Sequence, residues 1–260
     1  MSTLLREALL PVAALALCPL AAHIAPLNAG VAVDHARALA ALETRLGLHV
    51  EPVVAGAVAN EGRLAHPIAV VYLLAHLPVT VAVLGWVLLK RPYAWPVLQK
   101  VFVLSQGATI ALNVAWPCAP PSRIGVADST AAVWGDGTID AAHVLQHPFA
   151  AMPSGHVAFA LVAGGAVAWL GPRPWQRLAG LSWPVTTAAI IVVTGNHFWL
   201  DAAAAVPVTG LALAVALLSS ISGRAPTPVG WLADARARRR RAAESAEGPP
   251  VGVGSGQLRS

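Results

Sequence analysis

His147-Pro-Phe-Ala-Ala-Met-Pro-Ser-Gly-His156 is followed at once by an apolar run, residues 157–170. Proline is common in the first helical turn and serine is a good N-cap, so a helix is predicted to begin at Ser154. The first amide N–H groups of a helix carry partial positive charge and form a ready anion site. His156 would place a proton donor beside an anion bound at Ser154 and Gly155. A capped helix start with an incidental histidine explains the same residues equally well.

A second histidine stands in His197-Phe-Trp-Leu-Asp201, directly after Thr194-Gly195-Asn196. Gly195 predicts a break between apolar segments, and Asn196 predicts the N-cap of the next helix. Residues four apart lie on one helical face, so Asp201 can accept the Nδ1–H of His197. That bond fixes the imidazole tautomer and leaves Nε2 free to attack or to take up a proton. Taken alone, the pair is more simply explained as a local hydrogen bond at a membrane surface.

Arg123 ends a third short stretch, Trp116-Pro-Cys-Ala-Pro-Pro-Ser-Arg123. Its guanidinium offers a rigid fork of donors that suits phosphate oxygens. In isolation, an ordinary arginine at a membrane interface is the simpler interpretation. All three stretches fall at predicted ends of apolar segments, and the topology predicted below places those ends on one side of a membrane.

The composition predicts an integral membrane protein. Of the 260 residues, 57% are hydrophobic and 11% are charged, whereas an average soluble domain carries about 25% charged residues. The net charge of +5 could suggest a nucleic-acid partner. The basic residues instead group at the ends of apolar runs and near the C-terminus, which fits orientation in a membrane. The two cysteines, Cys18 and Cys118, predict neither a structural disulfide nor a metal site.

Apolar segments predict an all-α bundle of six transmembrane helices. The segments cover residues 8–27, 67–89, 101–116, 153–170, 178–194 and 197–219. The first could instead be a cleaved signal peptide, although no sharp cleavage site follows it and a retained helix is favoured. Gly164-Gly165 in the fourth segment predicts close packing against another helix.

Basic residues set the predicted orientation. With six spans, one side of the membrane carries Arg6, Lys90, Arg91, Lys100, Arg173, Arg177 and the basic run of the tail. Positive charge is retained in the cytoplasm, so both termini are predicted to be cytoplasmic. The candidate site residues then share the extracytoplasmic face; they are Arg123, Ser154, Gly155, His156, His197 and Asp201.

Two segments lie outside the predicted spans. Residues 31–64, between spans 1 and 2, combine mixed charge with apolar residues at helical spacing. They predict one or two amphipathic helices that lie in the membrane interface. Residues 223–260 are rich in Gly, Pro, Arg and Glu and predict a disordered, basic cytoplasmic tail after a membrane domain at 1–222.

Three further residues are candidates for the site. His76 lies deep in a predicted span, where ionisable residues are commonly functional, and Tyr72 lies one turn before it. A hydrogen bond from His76 to a neighbouring helix is the simpler alternative. His147 lies in the loop 117–152, which is long enough to form a lid. The loop holds another histidine and several aspartates, but their spacing matches no strong metal motif, so no metal is predicted.

Together, Arg123, Pro153-Ser-Gly-His156 and His197-x-x-x-Asp201 resemble the three-part signature of the type-2 phosphatidic-acid phosphatase superfamily. The sequence that flanks these motifs is more similar to the bacterial membrane proteins grouped with inositol phosphorylceramide synthases. The similar stretches are Pro-Cys-Ala-Pro-Pro-Ser-Arg, Ala-Ala-Met-Pro-Ser-Gly-His and Thr-Gly-Asn-His-Phe-Trp-Leu-Asp. The resemblance covers roughly residues 30–220.

The chain departs from the superfamily pattern at two positions. A lysine usually stands seven residues before the first-motif arginine, where this chain has Trp116. An arginine usually stands six residues before the second histidine, where this chain has Ile191. Two of the usual phosphate-binding cations are therefore absent, although the bacterial branch often lacks them.

The resemblance implies a mechanism in which His197 attacks phosphorus and forms a phosphohistidine, while Asp201 orients it. His156 would protonate the leaving oxygen and then activate the acceptor. Arg123 and the amides near Ser154 and Gly155 would bind the phosphate, without a metal or another cofactor.

Several functions stay open at this point. Water as acceptor gives a lipid-phosphate phosphatase, which is favoured, and an alcohol such as inositol gives a phosphotransferase. A non-catalytic membrane binding or scaffold protein of the same fold is the rival from another class. A transporter is a less favoured alternative, because His76 is the only ionisable residue deep in a predicted span and a transport pathway usually needs more. The expected partners are a lipid-linked phosphate and membrane lipids, with no nucleic acid.

Overall fold

The structure of the protein is a computed structural model that describes residues 3–24, 28–135 and 148–222. His147, the tail at 223–260 and the middle of the predicted lid loop lie outside the described residues. Met1–Ala216 make up one compact unit, and of the second unit, Leu217–Ser260, only the end of the last helix is described.

The described chain is all-helical. Its helices are α1 (Thr3–Ile24), α2 (Ala29–Leu46), α3 (Glu51–Asn60), α4 (Gly62–Leu74), α5 (His76–Lys90), α6 (Trp95–Ala115), α7 (Ser129–Trp134), α8 (Gly155–Leu170), α9 (Pro174–Val193) and α10 (Trp199–Ser222), with a short 3₁₀ turn at Pro121–Ile124. Each of the six apolar segments coincides with a helix or with the pair α4–α5, which confirms the predicted fold class at the level of helices.

Among the described residues, two helices, α6 and α10, are long and apolar enough to cross a membrane. The pair α4–α5 passes the same test as a third candidate, but it is bent by 45°. The span predicted over residues 67–89 is thus present as a bent pair, because the helix breaks at Ala75. Pro78 explains the break, because it has no N–H for the carbonyl of Leu74 and its ring crowds that carbonyl. The full set of six crossings stays a prediction.

The segment predicted to be amphipathic forms two helices, α2 and α3. One face of α2 is buried, through Ala32, Ala36, Leu39 and Glu43. Gly47, with φ of 69°, ends α2 in the left-handed conformation that favours glycine. Whether these helices lie in a membrane interface stays a prediction, but their buried face fixes them against the rest of the fold.

The main apolar core lies between α5, α6 and α8. The rings of Phe102 and Phe159 lie with centroids 5.8 Å apart within it. Helix α1 joins this core through Ala14 and through Glu7. The Glu7 carboxylate accepts the indole N–H of Trp95 at 3.0 Å, and its backbone carbonyl accepts from Gln99 at 2.7 Å. These two bonds fix α1 to the start of α6.

Helix α9 carries an apolar stripe on its outer surface. Trp175, Leu178, Leu181 and Val185 recur at helical spacing and are each at least 60% exposed. A stripe of this size on a single helix is suited to lipid rather than to water. It supports a membrane setting for α9, which does not reach the hydropathy that α6 and α10 have.

Helices α8 and α9 approach closely at two glycines. A Cβ atom on Gly164 would lie 2.4 Å from the carbonyl oxygen of Gly180. A Cβ on Gly180 would lie 2.5 Å from the amide nitrogen of Ala168. The close packing predicted for Gly164-Gly165 is thus confirmed for Gly164, whereas Gly165 faces open space. This contact holds α8, and with it His156, against α9.

Gly164→Ala and Gly180→Ala are expected to destabilise the protein by about 1–3 kcal/mol, because the backbones must separate to admit the methyl group. Gly165→Ala is the matched control: it has the free space that Gly164 lacks, and the helix propensity of alanine should make it neutral or stabilising by up to about 1 kcal/mol. Thermal unfolding of the purified variants in detergent measures both. An equal change in unfolding temperature for Gly164→Ala and Gly165→Ala would contradict the close contact at Gly164.

Candidate active site

The first and second motifs are joined by backbone hydrogen bonds. The N–H of Cys118 donates to the carbonyl of Phe149 at 2.8 Å, and the N–H of Ala151 donates back to the carbonyl of Cys118 at 3.1 Å. Cys118 and Ala150 thereby form a short parallel bridge. The segment that leads into Ser154 is therefore held directly beside the segment that leads into Arg123.

The third motif is joined to both of the others. Its Gly195 carbonyl accepts the N–H of Ser122 at 3.0 Å, and its Asp201 carbonyl accepts the N–H of Ser154 at 3.0 Å. The three stretches that the sequence singled out therefore converge in the fold. Backbone bonds hold them together, so their arrangement does not depend on the side chains that would carry the chemistry.

A glycine is required where the third motif turns. Gly195 has φ of +75°, and a Cβ atom there would lie 2.0 Å from the carbonyl oxygen of Ala127. The predicted break at this glycine is confirmed. The predicted N-cap role of Asn196 is wrong, because its side-chain amide instead lies 3.3 Å from the hydroxyl of Thr130 and α10 begins only at Trp199.

His197 precedes α10, and its ring is held by two acceptors. Its Nδ1–H points to the carbonyl of Ala151 at 3.1 Å and to Oδ2 of Asp201 at 3.3 Å. The expected histidine–aspartate contact is present, but across the start of the helix rather than along one helical face. The same Oδ2 of Asp201 also accepts the N–H of Phe198 at 2.8 Å, so it is shared between two donors. With its proton on Nδ1, the imidazole has a free lone pair on Nε2.

His156 lies in the first turn of α8, facing His197. Their ring centroids are 5.3 Å apart, with the rings nearly perpendicular. His156 is buried, and its Nε2 has no hydrogen-bond partner among the described residues. An unpaired imidazole nitrogen beside a second imidazole with a free Nε2 is an arrangement that can take up or release a proton at a group bound between them.

Ser154 is the N-cap of α8, as predicted, and its hydroxyl accepts the N–H of Val157 at 3.4 Å. Its own N–H is not free, since it donates to the carbonyl of Asp201. The expectation that this amide is open to an anion is therefore wrong for Ser154. The N–H groups of Gly155 and His156 have no acceptor within the described part of the chain, so the anion-binding character of this helix start rests on them.

Tyr72 and His76 both contact His156. The Tyr72 ring stacks on it with centroids 4.8 Å apart, and the His76 ring lies at 4.2 Å. The Nδ1–H of His76 donates to the backbone carbonyl of Tyr72 at 3.0 Å. A small cavity lies beside these rings and is also lined by Trp183 and Ile191. Of the three additional candidates, the structure thus brings two to His156, while His147 is not described.

Arg123 lies in the 3₁₀ turn that follows Pro120 and is exposed. Its guanidinium forms no hydrogen bond or ion pair with any residue that the structure describes. The turn is nevertheless fixed to the third motif, because the neighbouring Ser122 donates to Gly195. The arginine is therefore near the converging motifs and free to bind an anion from outside the protein.

The two positions at which the sequence departs from the pattern it resembles, Trp116 and Ile191, are engaged in other contacts. Trp116 stacks on His35 from α2, with centroids 4.3 Å apart, and His35 donates to the carbonyl of Pro117 at 2.8 Å. Ile191 is 1% exposed and packs with Val157, Ala205 and their neighbours. Both side chains are thus engaged in contacts with other parts of the protein.

Sequence reasoning missed two glutamates beside the third motif. The N–H of Trp199 donates to Oε1 of Glu51 at 3.1 Å, and the N–H of Leu200 donates to Oε1 of Glu43 at 2.8 Å. Both side chains are fully buried. Burial raises the pKa of Glu43 to about 8. The hydrogen bond from the Leu200 N–H lowers this pKa, and the neighbouring Glu51 and Asp201 raise it further. The sequence held one sign of this role, since Glu43 lies on the same helical face as the apolar residues Ala32, Ala36 and Leu39.

The same glutamates could in principle hold a metal. Glu43, His49 and Glu51 each offer one ligand atom, and these atoms lie within 4.8 Å of one another. Nδ1 of His49 lies 3.1 Å from Glu51 and 3.6 Å from Glu43, so the imidazole is within ion-pair distance of both carboxylates. The three residues lie behind the backbone of Phe198–Leu200 rather than between His156 and His197.

A comparison with family models matches residues 37–215 to the PAP2 superfamily. The matched range contains all three motifs as well as α3 to α9 and most of α2 and α10. No curated protein and no solved structure gives a significant match.

Proposed function

The chain belongs to the PAP2 superfamily, and from that membership we propose that it is an integral-membrane phosphatase that hydrolyses a lipid-linked phosphate through a phosphohistidine. Membership favours phosphatase or phosphotransferase chemistry in a membrane setting. The observation that carries the finer proposal is the state of His197. Its Nδ1–H has two acceptors, Ala151 and Asp201, which leaves the lone pair of Nε2 free, and its ring lies 5.3 Å from that of His156.

In the first step, Nε2 of His197 attacks phosphorus and the bond from phosphorus to the lipid oxygen breaks. The leaving oxygen takes a proton from His156, so the products are a lipid alcohol and a phosphohistidine. As His197 becomes positively charged, the Asp201 carboxylate and the Ala151 carbonyl stabilise its Nδ1–H. The Ala151 carbonyl adds an acceptor that the sequence motif does not reveal.

In the second step, His156 removes a proton from water, which attacks phosphorus and releases inorganic phosphate from His197. Charge on the three equatorial oxygens must be stabilised in both steps. The groups available for this are the guanidinium of Arg123 and the N–H groups of Gly155 and His156. Neither step requires a metal, so the enzyme is proposed to be metal-independent.

A phosphotransferase is the second candidate, because membership of the superfamily fits phosphoryl transfer to water or to an alcohol. An alcohol that took the place of water in the second step would receive the phosphoryl group. A non-catalytic protein of the same fold is the remaining alternative. Assay of the purified protein on a panel of lipid phosphates, with and without polyol acceptors, separates hydrolysis, transfer and inactivity.

His197→Ala is expected to abolish turnover, because it removes the nucleophile. Asp201→Asn should weaken turnover strongly, and the double variant should be little worse than the worse single one, since the two residues act as a unit. Vanadate, which mimics the trigonal-bipyramidal phosphoryl group, should inhibit the wild type. Release of phosphate from the best substrate of the panel provides the measurement. Near-normal turnover by His197→Ala would exclude the phosphohistidine.

Arg123→Lys is expected to be nearly as damaging as Arg123→Ala, because a point charge cannot reproduce the bidentate fork. The loss of charge-assisted bonds to a buried phosphate costs about 2–5 kcal/mol. That corresponds to roughly 30-fold to several thousand-fold in kcat/KM. Arg63→Ala, at another exposed arginine, is the control and should leave kcat/KM unchanged. If Arg123→Ala stayed within a few-fold of the wild type, another cation would bind the phosphate.

We further propose six membrane crossings, made by α1, α4–α5, α6, α8, α9 and α10, with the site on the extracytoplasmic face. Exposed Ala132 and Pro172 lie between consecutive crossings, so the proposal puts them on opposite sides. Single cysteines at these positions, in a background of Cys18→Ser and Cys118→Ala, should differ towards a membrane-impermeant maleimide. Intact cells should label Ala132→Cys, and Pro172→Cys only after permeabilisation. Labelling of both in intact cells would exclude the topology.

A further inference from the structure

The short segment between His197 and Asp201 is held by carboxylates from three different elements. Its three consecutive amides, from Phe198, Trp199 and Leu200, donate to Asp201, Glu51 and Glu43 at 2.8, 3.1 and 2.8 Å. Asp201 belongs to α10 itself, whereas Glu51 begins α3 and Glu43 lies in the last turns of α2. The Phe198 amide is thus satisfied locally by Asp201, whereas the first two amides of α10, from Trp199 and Leu200, are satisfied by tertiary contacts.

We propose that Glu43 and Glu51 are positioning residues, which fix the segment 197–201 so that His197 presents Nε2 to the phosphate. The proposal rests on the proposed function, since it assigns the two glutamates a role in that same site. They touch neither the reacting atoms nor His197 itself, and they act through the backbone of Trp199 and Leu200.

The burial of both carboxylates argues against a simple capping role. A serine or aspartate next to the helix would satisfy the same amides without removing two glutamates from water. Burying a carboxylate is costly unless it is paired and hydrogen-bonded, so the arrangement needs a further benefit. Fixing a nucleophile provides one, because a misplacement of about 1 Å can reduce a rate by roughly 100-fold.

The charge of the pair is limited by its surroundings. Glu43 faces the second carboxylate of Glu51, the imidazole of His49 and the carboxylate of Asp201. Burial and these neighbours raise the pKa of Glu43. Its Oε1 accepts the N–H of Leu200 at 2.8 Å. The side-chain oxygen of glutamine can accept the same N–H, so glutamine keeps this contact.

The test compares Glu43→Gln with Glu43→Met, and adds Glu51→Met. Glutamine keeps the acceptor for Leu200, whereas methionine fills a similar volume without one. At pH 6.5 we expect Glu43→Gln to keep kcat within about twofold, and both methionine variants to lose roughly 10- to 100-fold in kcat, with KM within about threefold. Glu61→Met, at the exposed end of α3, is the matched control and should leave both constants unchanged.

Hydrogen exchange tests the same contacts without using activity. In the peptide that contains residues 197–201, the amides of Trp199 and Leu200 should exchange faster in the methionine variants than in the wild type or Glu43→Gln. Peptides of α5 and α6 should exchange at the wild-type rate, which shows that the variants are folded. If the wild type turned over no lipid phosphate while this exchange pattern appeared, the proposed function would fail and the contacts would stand.

Three outcomes would overturn the proposal. One is a folded Glu43→Met or Glu51→Met protein with kcat within about twofold of the wild type. Another is unchanged exchange at Trp199 and Leu200 in both methionine variants. The third is a stoichiometric divalent ion, found by elemental analysis of the purified wild type and lost in Glu43→Gln, because Glu43, His49 and Glu51 would then be metal ligands.

Discussion

Two helices begin at the same place, and the way their first amides are satisfied decides the character of the site. The starts of α8 and α10 are tied together by the bond from the Ser154 N–H to the Asp201 carbonyl. At the start of α10 the amides of Phe198, Trp199 and Leu200 donate to carboxylates of the protein. At α8 the amides of Gly155 and His156 have no acceptor among the described residues. Of the two helix starts, only that of α8 is therefore open to an anion from outside.

This asymmetry bears on the cations that the chain lacks. A helix start is worth about half a positive charge, which does not replace both a lysine and an arginine. At the two positions, Trp116 is stacked on His35 and Ile191 is packed among apolar side chains. In the proposed mechanism, the phosphate is therefore bound by Arg123 and the start of α8.

The sequence predicted the helices well, because apolar runs and proline or glycine breaks are local signals. It also predicted Ser154 as an N-cap and a contact between His197 and Asp201. It failed where tertiary contacts override local preference. Asn196 does not cap α10, because its side chain is engaged by the loop that carries Asp128 and Thr130. The amide of Ser154 is occupied from a distant part of the chain.

The two glutamates could not have been assigned from the sequence. Nothing local distinguishes a glutamate in the last turns of an amphipathic helix from an ordinary surface residue. Their partners are the amides of Trp199 and Leu200, about 150 residues away. Only the position of Glu43 on the buried face of α2 carried a signal, and a charge on an apolar face has no single interpretation without its partners.

The sequence offered two explanations for His76, a structural hydrogen bond or a place in the site, and the break at Ala75 shows why they need not compete. A broken helix frees carbonyl groups, which are costly in an apolar setting unless side chains satisfy them. Here the Nδ1–H of His76 donates to the carbonyl of Tyr72, in the last turn of α4, at 3.0 Å. The ring that repairs the break is the same ring that lies 4.2 Å from His156. Because its Nδ1–H is committed to Tyr72, His76 is fixed in orientation, so it can serve His156 only as a rigid neighbour through Nε2 or through its face.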